Sequence, residues 1–147
     1  MRVLVVDDET ELGDVMVTAL KNAGFDAVYT SNGGDAVRFI TARGADVVIV
    51  DMHMPGMDGL EFMQRLRRLR PKTRILGISG GDRSGNKTML KMSGRLGAHA
   101  LLPKPFKPSD LIKKVKELGA QADAKSPTSR AASRHQRAPL EPYSTLD

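Results

Sequence analysis

Apolar positions along this chain follow two rhythms. In five short segments they cluster with few breaks: Arg2–Val6, Asp26–Thr30, Asp46–Val50, Arg74–Ser79 and Ala98–Leu102. Short runs of branched apolar residues, apolar throughout rather than alternating, are expected of strands covered on both faces, here β1 to β5. Between them the apolar residues recur at helical spacing. A helix α1 is expected from Thr10 to about Asn22, with Leu12, Val15, Met16, Ala19 and Leu20 on one face and Ala23-Gly24 as its stop. Asp35–Ala42 reads as α2, with Ala36, Val37 and Ile40 inward. Asp58–Arg70 reads as α3, with Phe62, Met63, Leu66 and Leu69 inward and Pro71 ending it. A glycine-rich loop from Gly80 to Gly85 leads to α4, which runs to about Leu96, and Ser109 is placed to cap α5, with Leu111, Ile112, Val115 and Leu118 inward.

Strands alternating with helices, each strand buried, define the fold class: α/β, a doubly wound five-stranded parallel sheet, flavodoxin-like, in the order 2-1-3-4-5. After Gly119 the rhythm stops. The remainder is rich in Ala, Ser, Pro and Arg and cannot bury enough to offset its ordering entropy. The expected division is therefore a domain over 1–119 and a disordered tail over 120–147, with no second domain.

Composition narrows the class. Of 147 residues, 40% are hydrophobic and only 4% aromatic, so the core is aliphatic and Met-filled. No Cys is present, which excludes disulfides and thiolate metal sites and suits a reducing compartment; the expected location is cytoplasmic. No apolar run approaches the roughly 18 residues of a membrane span, and the N-terminus turns acidic too soon for a signal peptide. The net charge is +6, but its distribution argues against nucleic acid. Arg65, Arg67, Arg68, Arg70, Lys72 and Arg74 are not interleaved with stacking aromatics. They read as the solvated face of a helix, or alternatively as a docking surface for an acidic partner.

Chemistry is expected beyond the carboxyl ends of the strands, where strand order reverses. β1 ends in Asp7 and Asp8, β3 in Asp51, β4 in Ser79, and β5 ends near Lys104. β2 ends in Thr30-Ser31, with nothing ionisable. The three carboxylates converge if β1 and β3 are neighbours. Two such charges 4 Å apart repel by about 4 kcal/mol at an effective dielectric of 20. Either some are protonated or a cation sits among them, and oxygen-only ligands favour a hard ion such as Mg²⁺. A hydroxyl and an ammonium across the same cleft suit a phosphoryl group, so phosphoryl transfer to an Asp nucleophile is the natural reaction. The stretch Gly80-x-x-x-x-Gly85-Asn86-Lys87-Thr88 is close to a P-loop, but Asn86 intervenes where Lys belongs. Met52, Met54 and Met57 read as packing before recognition.

The motifs V5-V6-D7-D8-E9, D51-M52-H53-M54-P55-G56-M57-D58-G59, I78-S79-G80 and L102-P103-K104-P105-F106 resemble those of the receiver domain of bacterial two-component response regulators. The resemblance spans about Arg2 to Gly119. It implies Asp51 as phosphoacceptor and metal ligand, Asp8 as a direct Mg²⁺ ligand, Asp7 as a ligand through water and the backbone carbonyl of His53 as the remaining protein ligand. It implies Ser79 and Lys104 as partners of the phosphoryl group, and Pro105 as a cis-proline. A histidine kinase or phosphotransfer protein is the implied donor. The α4-β5-α5 face is the implied output, for a protein partner of unknown identity. Such a chain is no enzyme beyond its own phosphorylation and dephosphorylation. Leu101 stands where the family often has Tyr or Phe, so output is expected to rest on the loop after Ser79. Two other classes fit the same residues: a phosphate sink without effector, and an Asp-dependent phosphatase or phosphotransferase, though the latter wants an Asp-x-Asp pair where Asp7 and Asp8 are adjacent.

Overall fold

The computed structural model describes residues 1–52, 59–79 and 97–124. Five strands form one parallel sheet in the order β2-β1-β3-β4-β5: Arg2–Val6, Asp26–Thr30, Val47–Asp51, Arg74–Ser79 and Ala100–Pro103. That is the expected order. The helices are α1 (Thr10–Asn22), α2 (Gly33–Ala42), α3 (Gly59–Leu69) and α5 (Pro108–Ala124). The expected α4 lies outside the described residues.

Side chains alternate across the strands, and each face builds its own core. Val3, Val5, Val47, Ile49, Leu76 and Ile78 face α1 and α5, where Met16, Leu20, Leu111, Val115 and Leu118 meet them. Leu4, Val6, Val48, Val50 and Ile75 face α2 and α3, against Ala36, Ile40, Phe62, Met63 and Leu66. β1 and β3 are buried almost end to end, which is why their sequences read as unbroken apolar runs.

The structure corrects the sequence reading at several points. Val15 is 53% exposed and Leu69 42% exposed, although both fit the apolar stripes of their helices. On α1 the inward set includes Gly13, because the ring of Tyr29 lies where a side chain at Gly13 would be. α2 begins at Gly33, two residues early, because Asn32 caps it. The Asn32 side-chain oxygen accepts from the Asp35 amide at 2.8 Å, and its Nδ2 donates to Asp35 at 2.9 Å. β3 starts and ends one residue later than expected, which brings Asp51 into the strand itself. β5 likewise starts at Ala100 rather than Ala98. α5 starts at Pro108, a residue suited to the first helical position, and runs past the expected boundary at Gly119 to Ala124. Gly119 is not a stop; its missing side chain makes room for Met1.

Candidate functional site

Parallel pairing aligns the carboxyl ends of β1, β3 and β4. Val6 pairs with Val50, Asp51 with Ile78, and Ser79 with Pro103. The ladder continues past the strands: the Asp7 amide donates to Thr30 O at 3.3 Å, the Met52 amide to Ile78 O at 2.9 Å, and the Lys104 amide to Ser79 O at 2.9 Å. Backbone bonds of this kind fix the site residues on the rim of a rigid sheet rather than on free loops.

Three carboxylates meet there. One oxygen from each of Asp7, Asp8 and Asp51 lies within 4.8 Å of the others. Asp7 and Asp51 continue the alternation of Val5 and Ile49, and both are buried; Asp8 is exposed. Asp7 Oδ1 accepts from the Glu9 amide at 2.8 Å, while Asp7 Oδ2 has no hydrogen-bond partner among the described residues. Burial is the main force raising the Asp7 pKa, and the charges of Glu9 and Asp8 add to it against the Glu9 amide and Lys104. A buried carboxylate oxygen without a donor, beside two further carboxylates, is a donor set that fits a hard divalent cation.

Lys104 enters from β5. Its ammonium lies 3.9 Å from Asp51 Oδ2 and 2.7 Å from Glu9 Oε1. Burial alone would lower its pKa, but the Glu9 hydrogen bond and the charges of Asp51, Asp7 and Glu9 outweigh that and raise it. The ammonium therefore stays charged. The Lys104–Pro105 peptide is cis, as the resemblance implied. Ser79 is fully buried, and its hydroxyl has no partner among the described residues. Of the residues picked out from sequence, Asp7, Asp8, Asp51 and Lys104 are brought together and Ser79 stands at the neighbouring strand end. His53 lies outside the described residues, as do Met54, Met57 and the P-loop-like stretch. Leu101 is half-buried; a Cβ at Gly77 would lie 3.0 Å from its Cδ2 and 3.1 Å from Met52 Sδ, so Leu101 and the buried Met52 share the space above Gly77.

Two contributors were missed. Glu9 holds Lys104, a contact across 95 positions that no local pattern announces. Tyr29 reaches over Gly13 and donates its hydroxyl to the Asp7 carbonyl at 2.6 Å, bracing the acidic loop from β2. The pairing of a mid-helix glycine with an aromatic on the adjoining strand was a signal for it.

Known proteins resemble this chain in sequence and fold. The response regulator receiver domain model matches residues 3–116. The alkaline phosphatase synthesis transcriptional regulatory protein PhoP of Bacillus subtilis (strain 168) is 27% identical over 128 residues, which cover 87% of this chain and 52% of PhoP. The chain thus spans about half the length of that curated relative. The crystal structure of a CheY-like response regulator receiver domain protein from Methanospirillum hungatei JF-1 superposes with a TM-score of 0.77 at 27% identity, covering 84% of this chain and 97% of that one. NtrX from Brucella abortus gives a TM-score of 0.80 at 26% identity, over 88% of this chain and 29% of NtrX. The five-stranded order, the acidic cluster on its rim and these matches together make the chain a member of the response regulator receiver domain family of two-component systems.

Proposed function

We propose that Asp51 accepts a phosphoryl group from a histidine kinase or phosphotransfer protein, and that Asp7, Asp8 and the His53 carbonyl help hold the Mg²⁺ this requires. The observation that carries the reading is the convergence of Asp7, Asp8 and Asp51 with a lysine ammonium 3.9 Å from Asp51 Oδ2. An Asp51 oxygen attacks the donor phosphorus, a P–O bond forms to Asp51, and the bond to the donor breaks with its electron pair leaving on the donor. Lys104 offers a fixed positive charge to the transferring oxygens, and the Ser79 hydroxyl offers a hydrogen-bond donor. Bound Mg²⁺ supplies charge neutralisation to both carboxylates and phosphoryl oxygens.

The new group adds about −1.5 to −2 charge at a buried rim. Ser79 and Lys104 are drawn toward it, and both are joined to β4 and β5 by backbone bonds. The face that includes β5 and α5 is thereby biased to a second arrangement, which a protein partner reads. This reading suits a cytoplasmic signalling module whose only chemistry is on itself.

The test is labelling with acetyl phosphate and Mg²⁺, wild type against Asp51→Asn. Wild type is expected to take up base-labile phosphate and Asp51→Asn to take up none. Absence of label on wild type overturns the phosphoacceptor reading; equal label on Asp51→Asn overturns the site.

A further inference from the structure

Glu9 occupies the N-cap of α1, yet its side chain makes no capping hydrogen bond. Its backbone is nonetheless fixed. The Glu9 amide donates to Asp7 Oδ1 at 2.8 Å, and its carbonyl accepts from the Gly13 amide at 2.9 Å. The carboxylate that could have served the helix turns across the cleft to Lys104 instead, at 2.7 Å. The same ammonium stands 3.9 Å from Asp51 Oδ2, beyond hydrogen-bond reach. Lys104 is thus divided between two carboxylates and is bonded to the one that is not the proposed phosphoacceptor.

We propose that Glu9 is a positioning residue, a hold that keeps the Lys104 ammonium off Asp51 in the resting chain and must yield it when Asp51 is phosphorylated. The proposal rests on the Asp51 reading above and adds a regulator to it. The competition is set by charge. Against an Asp51 carboxylate of one negative charge, the Glu9 hydrogen bond wins. Against a phosphoryl group of about −1.5 to −2 charge the balance turns, because the phosphoryl oxygens offer more charge and several acceptors. Glu9 is largely exposed, so its hold is screened by solvent and easily surrendered. A hold of this kind slows entry into the phosphorylated state without adding any group to the reacting centre.

The test is a double-mutant cycle on the full chain with acetyl phosphate and Mg²⁺, using Glu9→Gln, Lys104→Gln and both together. Glu9→Gln is expected to take up phosphate about three-fold faster than wild type, the scale that a partly exposed ion pair supports. In the Lys104→Gln background the same substitution is expected to change nothing. In NMR the Lys104 ammonium protons of wild type are expected to be slowed in solvent exchange by their bond to Glu9, and in Glu9→Gln that protection is expected to be lost, a signature that altered α1 capping would not produce. An unchanged or slower rate, an equal gain in both backgrounds, or unchanged ammonium exchange overturns the hold. If wild type takes no phosphate, the Asp51 reading falls, and the ammonium exchange still decides whether Glu9 holds Lys104.

Discussion

Asp46 precedes β3 and Asp51 ends it, and the fold uses the two in opposite ways. Asp46 accepts from the Arg2 amide at 2.7 Å through its side chain, while its own backbone bonds Arg2 O at 2.9 Å and the Arg74 amide at 3.0 Å. It stitches β1, β3 and β4 together at their amino ends. Around it, Thr73 donates to Ala45 O at 2.8 Å, and the Ile75 amide donates to His99 Nδ1 at 3.0 Å. Asp51 is buried on the other rim with two more carboxylates beside it. There Asp7 Oδ2 and Ser79 Oγ are buried without partners among the described residues; on the amino rim the corresponding orphan is Arg74 Nε. Buried polar atoms are ordinarily paired, so an acid oxygen and a hydroxyl without partners among the described residues are the atoms that the proposed Mg²⁺ and phosphoryl group would satisfy. The proposed function thus sets a cohesive amino rim against a ligand-binding carboxyl rim.

That contrast can be strained from either end. Gly13→Ala carries the largest expected effect. A side chain there collides with the Tyr29 ring, so the ring must shift and its bond to the Asp7 carbonyl is lost. Overpacking and the broken hydrogen bond together are expected to cost about 3 kcal/mol in denaturant unfolding. Mg²⁺ affinity should fall with it. Tyr29→Phe, which removes only the hydroxyl, should weaken Mg²⁺ binding at about 1 kcal/mol of stability.

Asp7→Asn should act in the other direction. The native state holds a raised Asp7 pKa, so between the ordinary Asp value and that raised value the folded chain keeps a proton the unfolded chain has lost. Wild-type stability therefore falls as pH rises through that window. Asp7→Asn is expected to be more stable by about 1 to 2 kcal/mol above the window, with the gain vanishing as pH drops below the ordinary Asp range. A gain that persists in acid would contradict the burial account. Added Mg²⁺ should narrow the difference by stabilising wild type. Asp46→Ala is the smallest expected effect: a loss of about 0.5 kcal/mol in stability, with acetyl-phosphate uptake unchanged. If uptake fell as well, the two rims would not be separable.

Much of this was readable in advance because the sheet imposes it. β1 and β3 are buried on both faces, so Val3 to Val6 and Val47 to Val50 had to be apolar, and the residues that end them stood out. Asp7, Asp8, Asp51, Ser79 and Lys104 were legible as polar residues at strand ends for that reason. The helices were less legible because spacing does not say how far a neighbour reaches. Val15 and Leu69 fit their stripes but lie where no described element covers them. Asn32 was not singled out, although Asn32 and Asp35 stand at cap spacing. Glu9 was invisible as a partner of Lys104, since one acid in an acidic run carries no mark of a lysine from the last strand.

That separation has a consequence for how the chain comes into being. During synthesis Glu9, Asp7 and Asp51 emerge well before Lys104, which reaches the cleft only where β5 pairs with β4 through the Leu76–Ala100 to Ser79–Pro103 register. A chain cut short of β5 keeps these acids and loses the Lys104 charge set against them. Pairing of the last strand and delivery of that charge are one and the same contact.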